Sequence, residues 1–121
     1  MKIGISATEK TLDAPLDPRF GRCRYFLIID TDTDSFEVLE NDQHNASGGA
    51  GIQAAEHLAK KNVSVVITGN VGPNAYHTLT AANIKIITGA TGSIQDVLIQ
   101  YKNDELEDTT HPTVQSHHGM R

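Results

Sequence analysis

The apolar positions of this chain switch between two periods, and the switches mark its elements. Lys2–Ser6 alternates polar and apolar residues and predicts a first strand. Tyr25, Phe26, Leu27, Ile28 and Ile29 form a continuous run within Arg24–Asp30, the pattern of a strand buried on both faces. After the polar turn Thr31-Asp32-Thr33-Asp34, Phe36 and Val38 alternate with Glu37 and Leu39 across Ser35–Asn41, so the two runs predict a hairpin. The period then lengthens. Ile52, Ala55, Leu58 and Ala59 line one face of a helix, with Glu56 and Lys60 as an i,i+4 pair.

The second half repeats a strand–turn–helix pattern. Val63–Thr68 predicts a buried strand, and a short helix carrying Ala75, Leu79 and Ala82 follows the turn Gly69–Asn74. Ile84–Thr88 predicts the last strand. Ile94, Val97, Leu98 and Tyr101 then fall at i, i+3, i+4 and i+7, with Ser93 and Asp96 placed as a capping box that has Asp in place of Glu. The order is βββαβαβα. Its later part requires a right-handed parallel crossover beside an antiparallel hairpin. Residues 7–23 contain Ala14-Pro15 and Asp17-Pro18, which disfavour helix, and predict a long ordered loop. Residues 102–121 are polar and predict a tail with incidental histidines.

Composition narrows the class of molecule. A chain of 121 residues is near the commonest domain size and can bury a self-sufficient core. The formal charge of −5 argues against a general nucleic-acid binder. A lone cysteine, Cys23, excludes an internal disulfide framework and fits a reducing compartment. The opening Met1-Lys2-Ile3-Gly4-Ile5 is too short an apolar stretch for a secretory signal, and no run has the length of a membrane span. The expectation is a cytoplasmic protein with neither membrane nor nucleic acid as partner.

Three glycine-bearing turns, Gly48-Gly49-Ala50-Gly51, Gly69–Asn74 and Gly89–Ser93, each precede a helix. They would converge at the sheet edge where open α/β folds bind ligands. Amides at a helix start, backed by the helix dipole, favour an anion. The alternative is that the glycines only shape tight turns. No phosphate-binding fingerprint is present, so a nucleotide site is unsupported. The segment Asp17-Pro18-Arg19-Phe20-Gly21-Arg22-Cys23 surrounds Cys23 with Arg19, Arg22 and Arg24. Such charges favour an anionic ligand and lower a thiol pKa. In the competing reading Asp17 pairs with an arginine to brace the loop while Cys23 packs inside. His111, His117 and His118 cluster near the C-terminus without the spacing of a closed zinc site, and His44 precedes the first glycine turn. The first strand offers no carboxylate, which weakens a phosphoester hydrolase as an alternative.

The stretches Met1–Ser6, Asp17–Cys23, Gly48–Ala55, Val66–Ala75 and Gly92–Tyr101 together resemble the dinitrogenase iron-molybdenum cofactor biosynthesis family. That family includes small stand-alone domains and relatives that carry or deliver the nitrogenase cofactor. The resemblance covers residues 1–106 and leaves 107–121 as a His-containing tail. It implies a ribonuclease H-like α/β fold with a mixed five-stranded sheet and flanking helices. It further implies non-catalytic binding of an anionic iron–sulfur or iron–molybdenum type cluster, received from and passed to other proteins. Arg19, Arg22, Cys23, Gly48, Gly49, Gly51, Asn70, Gly72 and Asn74 are the candidate cluster-binding residues. Cys23, His44, His111, His117 and His118 are the candidate metal ligands. One cysteine is fewer than a tightly held iron–sulfur cluster normally takes, so exchangeable carriage is the expected role. A regulatory or interaction domain without cofactor is the remaining alternative.

Overall fold

The apolar runs condense into one sheet with helices on both faces. The computed structural model describes residues 1–42 and 49–114. In chain order it contains β1 (Lys2–Ala7), β2 (Tyr25–Asp30), β3 (Phe36–Glu40), α1 (Ala50–Lys60), β4 (Val65–Ile67), α2 (Pro73–Ala81), β5 (Lys85–Ile87) and α3 (Ile94–Lys102). The βββαβαβα order is as expected. The sheet order is β3-β2-β1-β4-β5. β2 runs antiparallel to both neighbours, whereas β4 is parallel to β1 and to β5. The carboxyl ends of β1, β3, β4 and β5 therefore share one edge.

α1 and α2 cover one face. Their core joins Phe26, Ile28, Val66, Ile84 and Ile86 of the sheet side to Ala54, Ala55, Leu58, Ala75 and Leu79 of the helices. Leu58 is fully buried, a contribution of about 1.5–3 kcal/mol from desolvation of one leucine side chain. It reaches the centre of the sheet because Gly4 makes room: a Cβ there would lie 3.2 Å from Leu58 Cδ2. The face of α1 that is buried carries Ala50, Ala54, Ala55 and Leu58, so Ile52 is only half-buried. Small residues let α1 and α2 approach closely, with Gly51 at 3.1 Å (measured to an added Cβ) from Ala75 Cβ.

α3 covers the other face, over Ile3, Ile5, Leu27, Ile29, Val65, Ile67 and Ile87. The expected cap is present, with Ser93 Oγ accepting from the Asp96 amide at 3.0 Å. Past α3 the chain does not leave the body at once. Leu106 packs against the α3-side core. Thr109 then donates its amide to Ile86 O, 2.6 Å, and its hydroxyl accepts from the Thr88 amide, 3.0 Å. Thr113 reaches Val71, before α2. Residues expected to form a plain polar tail are thus pinned as far as Val114.

Among the described residues no helix is long and apolar enough to cross a membrane.

Candidate functional site

The shared carboxyl edge brings the Asp17–Cys23 loop against the starts of α1 and α2. Three close approaches fix this. A Cβ on Gly21 would lie 2.8 Å from the Gly51 amide nitrogen, and one on Gly69 would lie 2.6 Å from Pro18 Cα. Arg19 and Asn70 form a parallel bridge, closed by the Asn70 amide donating to Pro18 O at 2.8 Å. Only glycine at 21 and 69 allows backbones this close.

Beneath the loop lies a buried polar cluster. Ser6 Oγ donates to Asp17 O at 2.6 Å and lies 2.7 Å from Thr68 Oγ1. The Asp17 carboxylate, 2% exposed, accepts from the Arg19 amide (3.0 Å), from Arg19 Nε (3.1 Å) and from Arg19 Nη2 (3.0 Å). The Arg19 side chain is 65% exposed, and its hydrogen bond to Asp17, then the Asp17 charge, hold it more firmly protonated than usual. The loop is therefore braced by the Asp17–Arg19 pair, and Arg19 presents its remaining edge to solvent.

Cys23 does not behave as its arginine neighbours suggested. The side chain is fully buried with Phe20 and Phe26, and its thiol donates to Phe20 O at 3.2 Å. Burial first, and the Asp17 charge second, push its pKa far above the ordinary thiol range instead of lowering it. Arg22 and Arg24 are exposed while Cys23 points inward, so adjacency in sequence is not proximity of charge to sulfur.

The helix starts differ from one another. At α1 the N-cap Gly49 adopts a left-handed conformation, φ 75°, and supplies no side-chain cap. The amides of Ala50, Gly51 and Ile52 make no hydrogen bond to another described residue. At α2 the amides of Gly72, Asn74 and Ala75 are in the same condition, and Pro73 has none to offer. At α3 every early amide is taken: Ile94 N by Ala14 O, Gln95 N by Leu12 O and Asp96 N by Ser93 Oγ. The expected convergence of three helix starts reduces to two, both on the face opposite α3. Asn70 uses its backbone internally, donating to Pro18 and accepting from Phe20.

Gly48, His44, His117 and His118 lie outside the described residues. His111 is exposed, with Nδ1 3.5 Å from Thr110 Oγ1. Among the described residues no group of three His, Cys, Asp or Glu side chains is placed to share a metal ion.

A family model, dinitrogenase iron-molybdenum cofactor, matches residues 1–104. The chain belongs to that family. A curated relative, the uncharacterised protein MJ0580 of Methanocaldococcus jannaschii, is 30% identical over 95 residues, spanning 76% of this chain and 80% of its own. The apo form of the orange protein from Desulfovibrio gigas superposes with a TM-score of 0.90 at 33% identity, covering 93% of this chain and 95% of that one. A NifB-like protein from Thermotoga, assigned to the DUF35 family, gives a TM-score of 0.82 at 34% identity over 93% and 96% of the two chains. In this member of the dinitrogenase iron-molybdenum cofactor family, Ser6 and Thr68 support the site from below without having been anticipated. Their signal is weak: a hydroxyl residue ends each of the two predicted strands Lys2–Ser6 and Val63–Thr68 at the ligand edge.

Proposed function

We propose that this protein binds and transiently carries an anionic metallocluster of iron–sulfur or iron–molybdenum type, without catalysing a reaction on it. The observation that carries the reading is the pair of helix starts, α1 and α2, set side by side with six amides that have no described partner and with Arg19 beside them. Family membership and the cofactor named by the family support the same reading. The donor set suits a cargo held by hydrogen bonds and charge. It does not suit thiolate ligation, because the lone cysteine is buried and protonated.

Arg19, Gly49, Gly51, Gly72 and Asn74 form the centre of the proposed site. Arg22 is on the same exposed loop. The mixed five-stranded sheet with helices on both faces supports a ribonuclease H-like reading of the scaffold. A lone, buried thiol suits a reducing cytoplasmic setting, and carriage requires donor and acceptor proteins on either side.

The test is anaerobic addition of a preformed Fe–S or Mo–S cluster, followed by size-exclusion chromatography with visible absorption. Cluster absorption should co-elute with wild type, fall in Arg19→Ala and persist in Cys23→Ser. Absence of colour with wild-type protein, or retention indifferent to Arg19→Ala, overturns the assignment.

A further inference from the structure

The segment after α3 is acidic and runs toward the proposed site. Asp104, Glu105, Glu107 and Asp108 open it, and Asp108 lies 4.0 Å from Lys85 on the edge strand β5. Thr109 anchors it to β5 through Ile86 O and Thr88. Thr113 makes the second anchor, on the loop before α2. Its hydroxyl accepts from the Val71 amide at 2.9 Å, and its own amide donates to Val71 O at 2.9 Å. Val114 lies over Gly72, with Cγ2 3.7 Å from where a Cβ would stand.

The amide taken by Thr113 is the one next in line to those of Gly72, Asn74 and Ala75. Most of residues 103–114 is exposed, and the anchors are few and local. The anchoring side-chain bonds at Thr109 and Thr113 are part-buried and confined to two points, so the strap can open as a local unit without unfolding the domain.

We propose that residues 106–114 form an autoinhibitory strap, in which Thr113 holds the Val71 amide and is displaced when an anion occupies the start of α2. The strap and the anion compete for one donor, the Val71 amide. Release adds the Val71 amide to the site. This inference rests on the anion-binding reading of the site given above.

The experiment uses the full chain, with Thr113→Val and Thr109→Val as test variants and Thr110→Val as control, since the Thr110 hydroxyl makes no hydrogen bond to the body of the fold among the described residues. Amide hydrogen exchange by NMR reads strap docking without any ligand. The Val71 amide should exchange about tenfold faster in Thr113→Val than in wild type, with Thr110→Val unchanged. Titration with tetrathiomolybdate, a small Mo–S anion, reads competition. Thr113→Val and Thr109→Val should bind it roughly three- to tenfold more tightly than wild type. Unchanged Val71 exchange in Thr113→Val overturns the docking. Faster exchange with equal or weaker binding makes Thr113 a wall of the site and overturns the inhibition. If no variant binds the probe, the site reading falls and the competition with it, and the exchange data still decide whether the strap is seated.

Discussion

Replacing Gly69 by alanine would press on the contact that assembles the site. The added Cβ would meet Pro18 at 2.6 Å from Cα and 2.9 Å from O, and both partners are backbone or ring. Neither side can yield freely. Pro18 O accepts from Asn70, Gly69 O accepts from Gly89 at 2.8 Å, and Phe20 N donates to Asn70 O at 3.4 Å. Overpacking of this kind costs about 1–3 kcal/mol. Loss of one backbone hydrogen bond adds about 1 kcal/mol, so the expected destabilisation is about 2–4 kcal/mol. At roughly 4 °C per kcal/mol for a domain of this size, Tm should fall by roughly 8–16 °C. The matched control is Gly72→Ala, where the nearest neighbour is Val114 Cγ2 at 3.7 Å and φ is −82°. It should shift stability by no more than about 0.5 kcal/mol. Urea and thermal unfolding of the two variants read the difference. A Gly69→Ala protein within about 1 kcal/mol of wild type would refute the close approach of the two loops.

Two other variants probe the loop from within. The Cys23 thiol, held protonated in the fold by burial and by Asp17, loses its proton near pH 8.5 in the unfolded chain, at about the ordinary thiol value. The native state then binds more protons than the unfolded one, so this contribution is complete below about pH 8 and falls as pH rises, by up to about 1.4 kcal/mol per unit. The stability difference between wild type and Cys23→Ala should therefore shrink between pH 7 and pH 10 in urea titrations, and a difference that holds constant with pH counts against it. For Asp17→Asn, an amide keeps only one of the oxygens that Arg19 uses. Because Arg19 can turn to water, the loss should stay near 1–2 kcal/mol in thermal melts, while the released guanidinium raises anion retention above wild type. Unaltered melting would show that the pair does not brace the loop.

The order and type of the elements were legible because each apolar run had one period and ended at a glycine or a polar turn. Ser93 with Asp96 marks the start of α3 in the sequence itself. The face each helix covers was not legible, since Ile94, Val97 and Leu98 would show the same spacing on either side of the sheet. The Asp17–Cys23 loop was legible as a place and misleading as chemistry. Three arginines flank Cys23 along the chain, but side chains of an irregular segment diverge, and burial dominates the thiol. Thr109 and Thr113 gave no signal at all. A strap held by hydroxyl and backbone bonds needs neither hydrophobic period nor turn motif, so it looks like solvent-facing tail.

The balance of charge bears on how such a site would be filled. Asp17 offsets much of Arg19, and the chain carries a formal charge of −5, so little net positive field extends into solvent. What favours an anion is the row of amides at two helix starts, each end equivalent to roughly half a positive charge and effective only within about one turn. At physiological ionic strength, fields between exposed charges decay over about 8 Å. A site of this kind holds an anion already in contact, and it does not draw one from a distance against an acidic surface. On the carrier reading proposed above, loading would depend on handover between docked proteins, not on capture from dilute solution. Steering by charge would make the loading rate rise steeply as salt is lowered, whereas handover from a docked donor to dipoles leaves it nearly flat or, with an acidic donor, reversed in sign.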